Sequence, residues 1–133
     1  LQNRPKGVFI VATANGIEGI PAEYLRPGRW DCSPFAMDLP NQKTADKILK
    51  HYCEKKDVKF EKVETKDFSG AELEALVNMA NMRGRSLKDV KKFIIPVAQS
   101  MKDRLHALRE WSKVNCIAAD EEIETEIGRR LAL

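Results

Sequence analysis

Residues 8–14 read Val-Phe-Ile-Val-Ala-Thr-Ala with no charged side chain among them, and the run ends on Asn15-Gly16. A strand with one face in water alternates apolar and polar residues, and this run does not. A uniformly apolar run suits a strand buried on both faces, as in a parallel sheet covered by helices. The β-branched side chains of Val8, Ile10, Val11 and Thr13, with Gly7 and Gly16 as bounds, favour a strand over a buried helix. Such a strand delivers the amide of Asn15 to its carboxyl end, where open α/β sheets hold their ligands.

The rest of the N-terminal stretch is punctuated. Pro21 fits the first position of a short helix ending at Leu25, and Arg26-Pro27-Gly28-Arg29 has the composition of a tight turn. Phe35 to Leu39 reads as a second short strand closed by Pro40. Asp38 lies in it, but no second carboxylate follows, so no metal site is expected there.

From Asn41 the periodicity becomes helical. Asn41 caps a helix over about 42–56 whose Ala45, Ile48, Leu49 and Tyr52 share a face. A polar linking loop covers 57–66. Ser69-Gly70-Ala71-Glu72 has the form of a capping box, with Leu73, Leu76, Val77 and Ala80 behind it and Gly84 as the stop. Ser86 to Asp89 repeats the cap before an apolar stripe of Leu87, Val90, Phe93, Ile94 and Val97, a helix that Pro96 kinks or ends. Met101, Leu105, Leu108 and Trp111 define a helix near 100–113. Ile123, Ile127 and Leu131 allow a weak helix in the tail, with its glutamates early and Arg129-Arg130 late, as a helix dipole favours.

Charge and cysteine content exclude several function classes. The net charge of +3 is small, and basic residues alternate with acidic ones, as in Glu54-Lys55-Lys56-Asp57. That balance does not indicate a nucleic-acid binder, although Lys55, Lys56, Lys88, Lys91 and Lys92 keep that class as a weak alternative. Cys32, Cys53 and Cys116 form no C-x-x-C pair, and His51 and His106 are the only histidines. Reduced thiols, a cytoplasmic setting and no structural zinc are expected. No apolar run approaches the roughly 20 residues of a membrane span, so no membrane partner is expected. The start lacks a Met and reads as cut from something longer.

In combination, three of these segments resemble the second half of an AAA-family ATPase module. An apolar strand ends in Asn15, the turn Leu25-Arg26-Pro27-Gly28-Arg29-Trp30-Asp31 follows, and Phe68-Ser69-Gly70-Ala71-Glu72-Leu73 comes further on. The resemblance covers roughly residues 7–111. It implies an α/β fragment of a P-loop NTPase with two parallel strands, residues 1–40, followed by an all-α helical lid bundle, residues 41–113, and a tail, 114–133.

The resemblance also implies roles. Asn15 would be the sensor that orients the water attacking the terminal phosphate, or else a plain turn residue. Arg26 and Arg29 would be arginine fingers reaching a neighbouring subunit's site. Gly70 and Ala71 would lie beside adenine and ribose, although a helix cap explains both equally well. Tyr52 would stack on the base or belong to the core, with His51 beside it as a surface residue. Cys32 departs from the basic residue common at its position.

No G-x-x-x-x-G-K-[ST] occurs, and no apolar strand ends in paired acids. The phosphate cradle and the Mg²⁺ ligands are therefore expected upstream of Leu1. The cofactor implied for the intact protein is ATP with Mg²⁺, and no tight binding to this chain is expected. The implied partners are further copies of itself in a ring, a hexamer, and a protein substrate that ATP hydrolysis remodels. The alternative from another class is a non-catalytic helical interaction or oligomerisation module derived from an AAA lid.

Overall fold

Capping side chains set the helix boundaries of this chain. The computed structural model describes residues 6–26, 28–30 and 32–119. Asn41 accepts the Thr44 amide at 2.8 Å and starts helix α1, Gln42–Lys56. Ser69 and Glu72 form the expected reciprocal box at the start of α2, Gly70–Arg83. Ser86 accepts the Asp89 amide at 3.2 Å and opens α3, Leu87–Lys91. Each cap satisfies an amide that the helix itself leaves without a partner.

The C-terminal end of α2 closes as a Schellman motif. Gly84 sits at φ 56°, its amide reaches the Asn81 carbonyl at 3.3 Å, and the Arg85 amide reaches the Ala80 carbonyl at 3.1 Å. α1 ends the same way, but on Asp57 at φ 54°, with the Val58 amide on the Cys53 carbonyl at 2.9 Å.

Two compact units divide the chain: residues 38–105, and residues 1–37 with 106–133. The first holds a core of Ala45, Leu49 and Cys53 from α1, Leu73, Leu76, Val77 and Ala80 from α2, and Leu87 and Val90 from α3. Val63 and Phe68 close it from the loop between α1 and α2. Each fully buried leucine contributes about 1.5–3 kcal/mol. Ile48 and Tyr52, expected on the same face of α1, are only partly buried against this core.

The loop between α1 and α2 is irregular yet pinned. The Gln42 side chain donates to the Val63 carbonyl at 3.0 Å and accepts from the Thr65 amide at 3.1 Å, so one amide group fastens both backbone polarities. Further along, Glu61 accepts the Lys88 amide at 2.9 Å at the start of α3.

The helix after Ser86 is shorter than its apolar stripe predicts. α3 stops at Lys91, and Phe93 and Val97 are exposed. Pro96 disfavours helical backbone at Ile95 and clashes with the turn before it, so the chain passes through turns into a 3₁₀ segment, Val97–Gln99. Helix α4 then runs Lys102–Asn115.

In the other unit the sheet differs from the sequence expectation. Strand β1, Phe35–Ala36, pairs in parallel with β2, Ile117–Ala118, through the Ile117 amide on the Pro34 carbonyl and the Ala119 amide on the Ala36 carbonyl, both at 2.9 Å. The expected strand over residues 8–14 is not formed. Val8, Phe9, Ile10 and Val11 are exposed, Phe9 by 82%. A strand exists only through hydrogen bonds to a neighbour, and among the described residues none pairs with this run. The expected tail helix, with Ile123, Ile127 and Leu131, falls outside the described residues. Among those described, no helix is long and apolar enough to cross a membrane.

Candidate functional site

The segment after Asn15 folds on itself through local bonds. Gly19, at φ 85°, occupies the third position of a turn closed by the Ile20 amide on the Ile17 carbonyl at 3.2 Å. A 3₁₀ helix, Ala22–Leu25, follows Pro21, with the Tyr24 amide on the Pro21 carbonyl at 2.9 Å. The next turn is closed by the Arg29 amide on the Arg26 carbonyl at 3.4 Å, with Gly28 at φ 84°. A side chain at Gly28 would be strained, so glycine is required there.

Trp30 ties this turn back to the helix: its indole N–H donates to the Tyr24 carbonyl at 2.8 Å. Arg26 and Arg29 thus stand at the two ends of one short closed turn, and both are exposed. Planar guanidinium groups so presented suit an anion brought from outside. Asn15 is exposed at a bend in the same unit.

The residues expected near a base lie in the unit 38–105. Tyr52 and Gly70 line one shallow groove of about 380 Å³ with Lys47, Ile48 and His51. Lys47, Ile48, His51 and Tyr52 recur at helical spacing along one side of α1, and Gly70 is the first residue of α2. Apart from its chain neighbours and its own helix backbone, no described heavy atom lies within 4 Å of where a Cβ on Gly70 would stand, so the space beside it is open to a ligand. Ala71 is exposed next to it.

Electrostatics hold the groove's aromatic wall. The Glu74 carboxylate beside Tyr52 raises the phenol above its ordinary value, aided by burial and by the hydrogen bond between them. Tyr52 therefore stays a neutral donor to Glu74, with its ring edge-on to His51 at 5.5 Å. His51 is exposed, as expected from the sequence, and also lines the groove, whereas Lys47 and Glu74 are additions that the sequence reading lacks. The i, i+4 relation of Lys47 to His51 was the available signal.

Nucleophilic chemistry at Cys53 and Cys116 finds no support. Burial raises Cys53, with Glu54 and Glu61 adding to it, and burial raises Cys116 against a hydrogen bond with Ser112. Both thiols are buried and stay protonated at neutral pH. Among the described residues no group of three His, Cys, Asp or Glu side chains could hold a metal ion.

No family model matches the chain, and no solved structure matches it. Curated relatives do. An uncharacterized AAA domain-containing protein, ycf46, of Pyropia yezoensis is 32% identical over 129 residues, covering 84% of this chain and 26% of the relative. A proteasome-activating nucleotidase of Methanosarcina mazei is 31% identical over 102 residues, 69% of this chain and 24% of the relative. An ATP-dependent zinc metalloprotease FtsH of the Aster yellows witches'-broom phytoplasma is 39% identical over 84 residues, 59% of this chain and 12% of the relative. The chain thus spans about a quarter or less of these proteins' lengths. Together the similarities support a fragment of the AAA ATPase family, and two parallel strands among mostly helical elements are compatible with its C-terminal part.

Proposed function

We propose that this chain is the C-terminal part of an AAA ATPase module, with residues 1–40 ending the nucleotide-binding domain, 41–113 forming the helical lid and 114–133 a tail. In the longer protein, ATP with Mg²⁺ is hydrolysed in a ring of subunits, a hexamer, and hydrolysis remodels a protein partner. The relatives that activate proteasomes or act as ATP-dependent proteases support a protein as the substrate.

The observation that carries this reading is the closed turn with an exposed arginine at each end. Arg26 and Arg29 act on the phosphates of the adjoining subunit, where a guanidinium offsets the charge that builds on the phosphoryl oxygens. Asn15 orients the attacking water in its own subunit's site. The base rests in the groove of Ile48, Tyr52 and Gly70, whose open space beside Gly70 and apolar lining fit an adenine ring.

ATP hydrolysis by the longer protein tests the reading. Arg29→Ala is expected to lower turnover by about 10³-fold, the scale of an arginine finger. ATP affinity should stay within about threefold, because a residue acting on the neighbour's transition state contributes little to ground-state binding. Turnover that survives both Arg26→Ala and Arg29→Ala contradicts it.

A further inference from the structure

A second concavity, of about 610 Å³, opens on the unit 38–105. Its apolar lining includes Ile94, Ile95 and Pro96, and Ile95 is 77% exposed. Four lysines line it: Lys66, Lys88, Lys91 and Lys92. Two of these are located by contacts, Lys88 by its ion pair to Glu61 at 4.0 Å and Lys92 by its position 5.3 Å from the Phe93 ring. The wall that carries Pro96 is fastened to α2, because Glu72 Oε1 accepts the Val97 amide at 2.7 Å. The groove is therefore built on a fixed segment.

We propose that this groove docks an acidic peptide segment of a partner protein, one in which carboxylates flank an aliphatic side chain. The lysines meet the carboxylates, and the aliphatic side chain covers Ile95. Glu64 and Asp67 share the lining, which sets two carboxylates against four lysines. The two carboxylates weaken the attraction to a continuous polyphosphate backbone, whereas carboxylates spaced along a peptide can meet the lysines singly. The apolar part of the lining gives a nucleic-acid backbone nothing to bury, whereas a leucine or isoleucine gains from it. This docking is independent of the nucleotide reading, since it uses none of Asn15, Tyr52, Gly70 or the two finger arginines.

The test is fluorescence anisotropy with the 133-residue chain and a labelled synthetic heptapeptide, EEIDELE. Binding at low salt is expected, weakening several-fold between about 50 mM and about 0.5 M salt. The amide analogue QQINQLQ and the aliphatic-free analogue EESDESE should each bind the unaltered protein at least about tenfold more weakly. Lys66→Glu with Lys92→Glu, both on exposed side chains, should weaken EEIDELE by about tenfold or more, and Ile95→Asp by a similar factor. The proposal is overturned if EEIDELE does not bind, if it binds the variants equally, or if the amide analogue binds as well. It is equally overturned if a single-stranded oligonucleotide of matching charge binds more tightly than the peptide at the same groove.

Discussion

Glu72 joins the start of one helix to a distant loop: its Oε1 accepts the Val97 amide at 2.7 Å while its Oε2 accepts the Ser69 amide at 2.7 Å. One carboxylate thus completes the capping box of α2 and holds the segment after Pro96. Burial pushes Glu72 up, but the bonds from the Ser69 amide, the Val97 amide and the Ser69 hydroxyl outweigh it and lower its pKa. The acid is held ionised by three donors.

Glu72→Gln is therefore expected to cost about 1–3 kcal/mol, because an amide replaces one accepting oxygen with a donor. Glu72 has a lower pKa folded than unfolded, so its contribution is complete above the ordinary carboxylate range. It is lost as pH falls through the lowered value. Melting curves of the two proteins from about pH 7 to about pH 3 should converge at the acid end. A constant difference at every pH would show that the carboxylate is not the source.

Gln42 makes a comparable prediction at the other end of the same unit. Its amide bridges Val63 and Thr65, and Thr65 is 1% exposed. Gln42→Ala should lower stability to urea by about 1–3 kcal/mol, since buried backbone groups of the loop lose their partner. An unchanged midpoint would mean that the loop is held by Val63 and Phe68 alone.

Two helix ends close on a residue in the left-handed conformation, one a glycine and one an aspartate. Gly84, at φ 56°, carries no penalty, whereas Asp57 at φ 54° does. Asp57→Gly is expected to raise stability by about 0.5–1 kcal/mol and Gly84→Ala to lower it by about 1 kcal/mol or more. Equal effects of the same sign in thermal melts would contradict this account of the two caps.

Gly70 separates packing from ligand contact. With nothing within 4 Å of a Cβ at that position, Gly70→Ala should leave the melting temperature unchanged or slightly higher. In the longer protein the same methyl group enters the space assigned to the base, and ATP affinity should fall by about tenfold. Unaltered affinity would remove Gly70 from the nucleotide groove.

What the sequence discloses about this chain is what its neighbours along the chain decide. Asn41, Ser69, Gly84 and Ser86 mark helix ends through bonds that span a few residues, so their roles are legible without any tertiary contact. The run from Val8 to Val11 is the opposite case. Its apolar pattern requires a sheet, but the pattern does not say which strands would flank it, and in the structure it stands exposed. Strand β2 was not visible because a pair such as Ile117–Ala118 carries no periodicity.

The candidate site divides along the same line. Arg26 and Arg29 flank a Pro-Gly pair, and that local chemistry points to the closed turn. The pairing of Tyr52 with Glu74 brings α1 and α2 together, and neither helix alone predicts it. Ser86 begins the short α3 as expected, but the apolar stripe behind it overstated the helix, because Pro96 acts on residues before it in the chain.

Mixing two inactive forms of the longer protein tests the central claim most directly, that Asn15 serves its own subunit's nucleotide while Arg26 and Arg29 serve a neighbour's. One form carries Asn15→Ala and the other Arg26→Ala with Arg29→Ala; each should be nearly inactive alone. In an equimolar mixture, a finger-deficient subunit with a sensor-deficient finger donor as its neighbour occurs at roughly a quarter of the junctions of a head-to-tail ring. The mixture should therefore recover about a quarter of the unaltered turnover. A mixture no more active than its two parents would contradict the assignment.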